Sequence, residues 1–574
     1  MSSARIWDVV VVGAGGAGLT AARHAREAGA DVLVLNKGLA GRTGATITSG
    51  GGISIADSTL ARLGFDLDPA ADTEQDFAQD TIRSGRFIGD QSLVASMVEE
   101  VGDALGELIA MGVKPRVVKR APGHSSGRGV HIKGPDMQKA VTTAATRAGV
   151  MFREDFVSAG LLQGADGTVV GVTGVDRRTG LVEEVHARAV VLATGGTTSN
   201  WRLRTAPEEL AGEGHAMALA AGAALVEPEM LQFLPCCVLA PEIWKGIQFP
   251  WTIGPQAGVR AWLLNRYGER FLHRWDPVNV ELATRDVVSA ASAAEVAAGR
   301  GSPNGGVYLS WAHLPRDIIE NMPLWSKSLA ADGRYQGFDF TPLIERIKSG
   351  YAIEVAPAAH FSLGGIHIDV EGATGVAGLY ACGEAAGGLH GANRLSGNAG
   401  AQMLVQGRRA GVAAARFSRR SWSLQPATNG DELHARLVAP LERETGVAPL
   451  ELAQQLGDLT DRALSPIRDG VRIDAALAEI ADIRANALPQ LAVRQRDATY
   501  NRDWLAAIES TAAVDVLEAA LIGARHRRHS LGAHQRADSA AEDDRPAPFH
   551  GLVRSTGGAL AYETRAVAFP VLAP

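Results

Sequence analysis

Apolar positions set several distinct rhythms along this chain. Near the N-terminus they run unbroken: Val9-Val10-Val11-Val12 ends in Gly13-Ala14-Gly15-Gly16-Ala17-Gly18 and passes into a helical pattern. An unbroken run of that length predicts a strand buried on both faces, as in a parallel sheet. A second run, Asp31-Val32-Leu33-Val34-Leu35, ends in Asn36-Lys37, and a glycine-rich loop follows from Gly38 to Ile55. From Val169 to Val191 strand-like stretches sit between turn signals at Asp166-Gly167 and Arg178-Thr179-Gly180, which predicts a small antiparallel meander. It leads into another buried strand, Ala189-Val190-Val191-Leu192-Ala193, closed by Thr194-Gly195-Gly196.

The Ala- and Gly-rich stretch from Ala216 to Val226 predicts a buried helix, and residues 236 to about 352 lose regularity and gain Pro, Trp and Gly, which predicts an inserted cap. Short apolar runs return near 353. Leu379-Tyr380-Ala381-Cys382-Gly383-Glu384 predicts a strand entering a turn, and Ala399 to Ala415 a helix. Residues 430 to 535 are mostly helical in period, as in Trp504, Leu505, Ile508, Val514, Leu517 and Leu521. The polar stretch Asp538 to Arg545 precedes a strand-like tail.

The glycine turn carries the first chemical inference. Glycines at these positions let the backbone turn tightly and approach a pyrophosphate, whose charge faces the start of the following helix. The acid that often follows the second strand is replaced by Asn36, which can still bond a hydroxyl. A strand-helix-strand start, a long insertion and a late strand ending in Ala-Thr-Gly-Gly point to FAD rather than NAD.

Composition narrows the partners. The 574 residues carry a net charge of -7 and 46% hydrophobic residues, so large cores are expected. Nothing in the charge pattern forms a basic stripe for nucleic acid. The cluster Arg525-His526-Arg527-Arg528-His529 at a helix end would face solvent, complement the helix C-terminus or pack on a neighbouring domain. Three cysteines, Cys236, Cys237 and Cys382, have neither zinc nor iron-sulfur spacing. No metal site is expected, and any iron-sulfur cluster would belong to another polypeptide. Reduced thiols and the absence of a leader or a long apolar span predict a cytoplasmic protein with no direct membrane span.

Several separated segments then carry a resemblance. Gly13 to Gly18, Gly51-Gly52-Ile53, Gly212-Glu213-Gly214, Glu281 to Val288, His360 to Gly365, Gly383-Glu384 and His390-Gly391-Ala392-Asn393-Arg394-Leu395 stand in an order that resembles the flavoprotein subunits of succinate dehydrogenase and fumarate reductase, together with L-aspartate oxidase. The resemblance spans about residue 7 to about residue 565, and Asn501 to Asp538 looks like the family's C-terminal helical domain. It implies an α/β fold: a discontinuous Rossmann-like FAD-binding domain (1–235 and 353–425), an inserted α+β capping domain (236–352), a helical C-terminal domain (426–545) and a tail (546–574).

The resemblance also implies roles. The cofactor-binding candidates are Gly13, Gly15, Gly16, Gly18, Asn36, Lys37, Thr46, Gly51, Gly52, Thr194, Gly195, Glu213, Gly383, Glu384 and Asn398, with Glu213 and Glu384 near the FAD ribose or pyrophosphate. In this family a hydride moves between flavin N5 and a carbon next to a carboxylate. Arg285 matches the arginine that exchanges the proton, with Asp286 a candidate to orient it, and Arg394 with His360 matches a carboxylate clamp. Arg suits that task because it binds a carboxylate through two parallel hydrogen bonds.

Two departures shape the expected function. Where succinate-oxidising members attach FAD through a histidine, this chain has Gly44-Ala45-Thr46, so FAD should be held noncovalently, at a lowered potential that suits reduction or direct oxidase use. Where the family has Phe-His-Pro-Thr-Gly, this chain has Phe233-Leu234-Pro235-Cys236-Cys237, and the Thr-Glu and Arg-Gly-Glu positions are lost around Trp251 to Gly258. An apolar Leu234 cannot offset the desolvation of a carboxylate, so one end of the substrate should be altered or held differently. The expected reaction is C–C dehydrogenation, or double-bond reduction, of a succinate-like acid. Amine oxidation as in L-aspartate oxidase is the first alternative. An electron-transfer subunit serving a separate iron-sulfur protein is the second.

Overall fold

The computed structural model describes residues 5–118, 120–249, 260–320, 339–420, 424–539 and 546–574. Its centre is a parallel sheet. Strand β1 (Trp7–Val12) leads through the glycine turn into helix α1 (Gly16–Glu27) and back to strand β2 (Val32–Leu35). β1 pairs in parallel with β2 (Val9 with Val32, Val12 with Leu35) and with the distal half of the strand Leu181–Leu192 (Val9 with Ala189, Val12 with Leu192). Val9, Val10 and Val11 are fully buried, as their unbroken apolar run requires.

The strand Leu181–Leu192 joins two kinds of pairing. Its start closes the antiparallel meander Phe156–Gln163, Val169–Asp176, and its end takes the strand Leu379–Ala381 in parallel on the side away from β1. The return of the chain at Leu379 is what makes this domain discontinuous. Helix Asn398–Ser418 then packs on α1. A Cβ on Gly407 would lie 2.6 Å from the Ala17 carbonyl oxygen, and one on Gly411 would lie 2.1 Å from that of Ala21. Bare glycines one helical turn apart let the two backbones touch.

The cap is a sheet in the order Leu231–Ala240, Ile353–Ser362, Val307–Ser310, Trp262–Leu264. Its first strand, Leu231–Ala240, runs across the expected boundary at 235, and its second, Ile353–Ser362, begins at the expected boundary at 353. Leu234, Val238, Phe271, Leu309, Trp311 and Val355 form its core. Helices Gly430–Glu442, Pro449–Ala463, Gly470–Asp482 and Arg502–His526 make up the C-terminal region, and the tail is the hairpin Phe549–Thr556, Ala559–Ala566. That hairpin adds to the short strand Leu225–Val226.

One predicted element is corrected. Ala216 to Val226 is not a single helix. The helix Glu213–Ala220 stops at Gly222, whose φ of +94° reverses the chain into the strand Leu225–Val226. Composition alone made the stretch look uniform, and the left-handed glycine divides it.

Candidate active site

β1, β2 and the strand Leu181–Leu192 border a cavity of about 510 Å³. It is lined by Gly13, Gly15, Gly16, Asn36, Lys37, Thr46, Gly51, Gly52, Thr194, Gly195, Glu213 and Glu384, and also by Arg285, His360 and Arg394. Three candidates lie behind this wall. A Cβ on Gly18 would sit 1.9 Å from the Gly13 carbonyl oxygen, so that glycine lets α1 pack on β1. Gly383, at φ +68°, rests against Ala17, and Asn398 is buried and donates from Nδ2 to Thr81 Oγ1 at 3.0 Å.

The turn is built for an anion. Gly13 holds φ +110°, and a Cβ there would lie 2.3 Å from the Ala193 carbonyl oxygen. Gly15 precedes α1 as its N-cap and offers no side-chain cap, and the first turn holds no acid, which leaves backbone donors for a ligand. Gly15, Gly44 and Gly50 line the cavity, and a Cβ on any of them would meet nothing closer than Thr46 Oγ1 at 3.8 Å. Thr46 Oγ1 accepts from the Gly16 N–H at 3.0 Å.

Asn36 and Lys37, at the end of β2, brace this wall. Asn36 Oδ1 accepts from the Ala14 N–H at 3.0 Å, and its Nδ2 donates to the Gly38 carbonyl at 2.9 Å. Lys37 donates to the Glu209 carbonyl at 3.1 Å and pairs with Glu213 and with Glu509, which reaches in from the helix Arg502–His526. Burial pulls the Lys37 pKa down, but the two carboxylates outweigh it and hold the ammonium above its ordinary range. Glu509 had no signal in the sequence, being one acid among many on a late helix.

The second constellation is cationic. Arg285 opens the helix Arg285–Ala297 and donates from Nη1 to Gln232 Oε1 at 2.9 Å; Arg394 donates from Nη2 to the same oxygen at 2.9 Å. Gln232 Nε2 donates to the Arg394 carbonyl at 2.8 Å, which fixes the amide with its oxygen toward both guanidinium groups. Arg394 lies over the Phe361 ring, 4.3 Å from its centroid, and its Nε has no hydrogen-bond partner. Among the described residues no carboxylate hydrogen-bonds either arginine. Burial lowers the Arg285 pKa to about 10. Burial and then the charge of Arg285 hold Arg394 well below its ordinary value, against the pull of Glu384. Two neighbouring cations bridged only by a neutral amide make a site for an anion.

Glu384 accepts from the Ser362 N–H at 3.0 Å, and burial pushes its carboxyl up to about 7 despite that bond and the nearby Arg394. His360 Nδ1 lies 2.7 Å from Thr205 Oγ1. Asp286 is turned away from the Arg285 guanidinium and meets Arg86 instead, at 3.4 Å. Leu234 is fully buried in the cap core and is not part of the cavity wall. The expected losses around Trp251 to Gly258 lie outside the described residues. Gln232 was the residue that sequence reasoning passed over, although a polar amide in an apolar strand was a visible signal. Cys382 also lines the cavity, but burial pushes its thiol up to about 12, so it offers no thiolate.

A family model described as "FAD binding domain" matches residues 8–399, and one described as "Fumarate reductase flavoprotein C-term" matches residues 453–574. The chain belongs to this flavoprotein family. The flavoprotein is 31% identical over 545 residues to one subunit of the fumarate reductase (CoM/CoB) of Methanothermobacter marburgensis, covering 92% of this chain and 94% of the relative. It is 32% identical to the L-aspartate oxidase of Streptomyces coelicolor, covering 95% and 91%. Among solved structures, Mycobacterium smegmatis Sdh1 superposes with a TM-score of 0.85 at 29% identity, over 99% of this chain and 95% of that one. E. coli quinol fumarate reductase FrdA gives 0.85 at 26% identity, over 100% and 98%.

The flavoprotein is an FAD-dependent oxidoreductase, and its cavity fits the cofactor. The uncapped start of α1, the open glycine wall and the buried, unpartnered Thr194 Oγ1 are the features that a dinucleotide would use. Ala45, also on the wall, has no atom able to form a covalent flavin bond. Among the described residues no helix is long and apolar enough to cross a membrane, and no His, Cys, Asp or Glu cluster could hold a metal ion.

Proposed function

We propose that this flavoprotein exchanges hydrogen with an organic acid at a carbon next to a carboxylate, by C–C dehydrogenation or double-bond reduction. The observation that carries the reading is the pair Arg285 and Arg394, gathered on Gln232 at 2.9 Å each with no carboxylate hydrogen-bonded to either among the described residues. Bound FAD, held by the glycine turn with Lys37, Glu213 and Glu384 alongside, supplies the hydride acceptor or donor. The chain's own residues do the rest. Arg394 and His360 hold the acid's carboxylate, and Arg285 moves the proton at the neighbouring carbon. Burial lowers the Arg285 pKa to about 10, which brings an otherwise very weak acid closer to working range. Leu234, buried in the cap, provides no donor for a second carboxylate, so the far end of the substrate is uncharged or rests on other groups such as Gln248.

The test is anaerobic flavin chemistry. Reduced enzyme is mixed with a panel of unsaturated acids, and oxidised enzyme with saturated ones, while flavin absorbance is followed. Arg285→Ala is expected to lower turnover with the responding acid by roughly 10²–10⁴-fold while flavin content stays the same. Undiminished turnover in that variant rules the mechanism out.

The similarity to L-aspartate oxidase supports amine oxidation as a second reading. Aspartate would then bleach the flavin and leave as an imine, which water hydrolyses to oxaloacetate and ammonia. The relatives named as subunits support electron exchange with a separate protein. With three cysteines, this chain cannot supply the usual four thiolates of an iron-sulfur cluster. Copurification with a cysteine-rich protein from the source cells would test that partnership.

A further inference from the structure

We infer that the turn Ser84-Gly85-Arg86 is a bracket that sets the separation of the two site arginines, with Arg86 a positioning residue acting through Asp286. The inference rests on the reading of Arg285 and Arg394 as the substrate-facing pair. The turn ends the helix Glu74–Ser84 of the FAD-binding domain. Its three residues make three contacts. Ser84 Oγ accepts from Asn393 Nδ2 at 3.1 Å, the Gly85 carbonyl accepts from the Ala392 N–H at 3.0 Å, and Arg86 Nη2 donates to Asp286 Oδ2 at 3.4 Å. Ala392 and Asn393 immediately precede Arg394, and Asp286 immediately follows Arg285. One short turn therefore grips the neighbours of both arginines, one on the FAD-binding domain and one on the cap.

The local backbone is shaped for this grip. A Cβ on Gly85 would lie 2.7 Å from the His390 carbonyl oxygen, and one on Gly391 (φ +55°) would lie 2.4 Å from that of Gly85. Arg86 (φ 55°) and Phe87 (φ 60°) are consecutive non-glycine residues in the left-handed region, a conformation that persists only where the surroundings hold it.

Asp286 is the other half of the device. Its side chain is 2% exposed, its Oδ1 has no hydrogen-bond partner, and Arg86 is its only ion-pair partner among the described residues. Without Arg86 that carboxylate would be buried and unpaired, and the helix start would shift to let it reach water. The same shift would carry Arg285 away from Gln232 and Arg394.

The experiment uses the full-length, FAD-loaded protein with spin labels at Glu99→Cys on the FAD-binding domain and Val278→Cys on the cap. Glu99 is exposed, Val278 is 86% exposed, and the native cysteines are buried, so labelling is selective. Pulsed electron paramagnetic resonance should give one narrow distance distribution. Arg86→Ala, and the longer neutral Arg86→Gln should the alanine variant not fold, is expected to broaden it. Arg86→Lys should recover most of the narrow population, as should the reversed pair Arg86→Asp with Asp286→Arg. With the acid that the flavin panel identifies, kcat in Arg86→Ala should fall on the order of 10²-fold at unchanged flavin content. A narrow distribution in both neutral variants overturns the bracket, and so does unchanged kcat beside a broadened distribution. If the unsubstituted enzyme responds to no acid, the proposed function fails, while the distances still decide whether Arg86 joins the two domains.

Discussion

Single residues set the electrostatics of the cavity. Burial and the charge of Arg285 hold Arg394 well below its ordinary value, while Gln232 and the Phe361 ring face its guanidinium with compatible neutral groups. Glu384 shows the opposite case: burial lifts its carboxyl from the ordinary 4.5 to about 7. A raised carboxyl value means that the folded chain holds the proton more tightly than the unfolded one. The stability it contributes is complete below about pH 4.5 and is lost as pH rises through about 7. In the FAD-free protein, urea midpoints should therefore decline across that window, and Glu384→Gln should remove this part of the decline. An identical pH profile in the variant would show that Glu384 titrates normally. At this scale Arg285, Arg394, His360 and Glu384, which the family resemblance singled out, all line the cavity. Sequence reasoning passed over Gln232, whose amide in an apolar strand was a visible signal, and it could not find Glu509, a single acid whose partner Lys37 is distant in sequence.

Elements carry the cofactor wall. β1 and α1 were legible because an unbroken apolar run and a glycine turn are local patterns that read the same in any context. Gly18 has no room for a side chain, with the Gly13 carbonyl oxygen 1.9 Å from where its Cβ would lie. Gly18→Ala should push α1 off β1, and the purified protein should come out with little or no bound flavin; full flavin content in that variant would show that the helix can yield. Lys37 joins the end of β2 to the start of the helix Glu213–Ala220 through Glu213 and to the interior of the helix Arg502–His526 through Glu509. Lys37→Ala leaves those carboxylates facing each other and should cost about 3 kcal/mol in urea unfolding, with Glu509→Gln restoring part of it. The helix expected from Ala216 to Val226 failed at this scale, since a left-handed glycine ends a helix without changing its hydrophobic pattern.

The whole molecule is tied together by buried charge. Of the alternatives for the basic cluster at 525–529, Arg527 takes the inward one: its side chain is 3% exposed and donates to the fully buried Glu229 at 2.6 Å. Its neighbours behave differently, with Arg525 pairing with Asp474 at 3.0 Å on the surface. Arg527→Ala strands a buried carboxylate between the C-terminal helix and the FAD-binding domain. It should destabilise the chain by about 3–5 kcal/mol, seen as a lowered Tm, whereas Arg525→Ala should change it by less than about 1 kcal/mol. Equal effects of the two substitutions would refute the assignment. The cap belongs to this scale as well. Its sheet includes the strand Leu231–Ala240, which the expected boundary at 235 divides, because a change in composition marks where a core changes and not where a strand ends.

By itself the sequence determined the parallel strands and the glycine turn, and its resemblance to a known family supplied the cofactor class and the segments that carry the arginines. The strands and the turn follow from side-chain periodicity and from backbone angles open only to glycine, which act over a few neighbouring residues. Only the tertiary structure decided which charges meet: Lys37 with Glu509, Arg86 with Asp286, Arg527 with Glu229, and Arg285 with Arg394 across Gln232. Hydrogen bonds and buried ion pairs act over about 3 Å, and which side chains come that close depends on how whole layers pack.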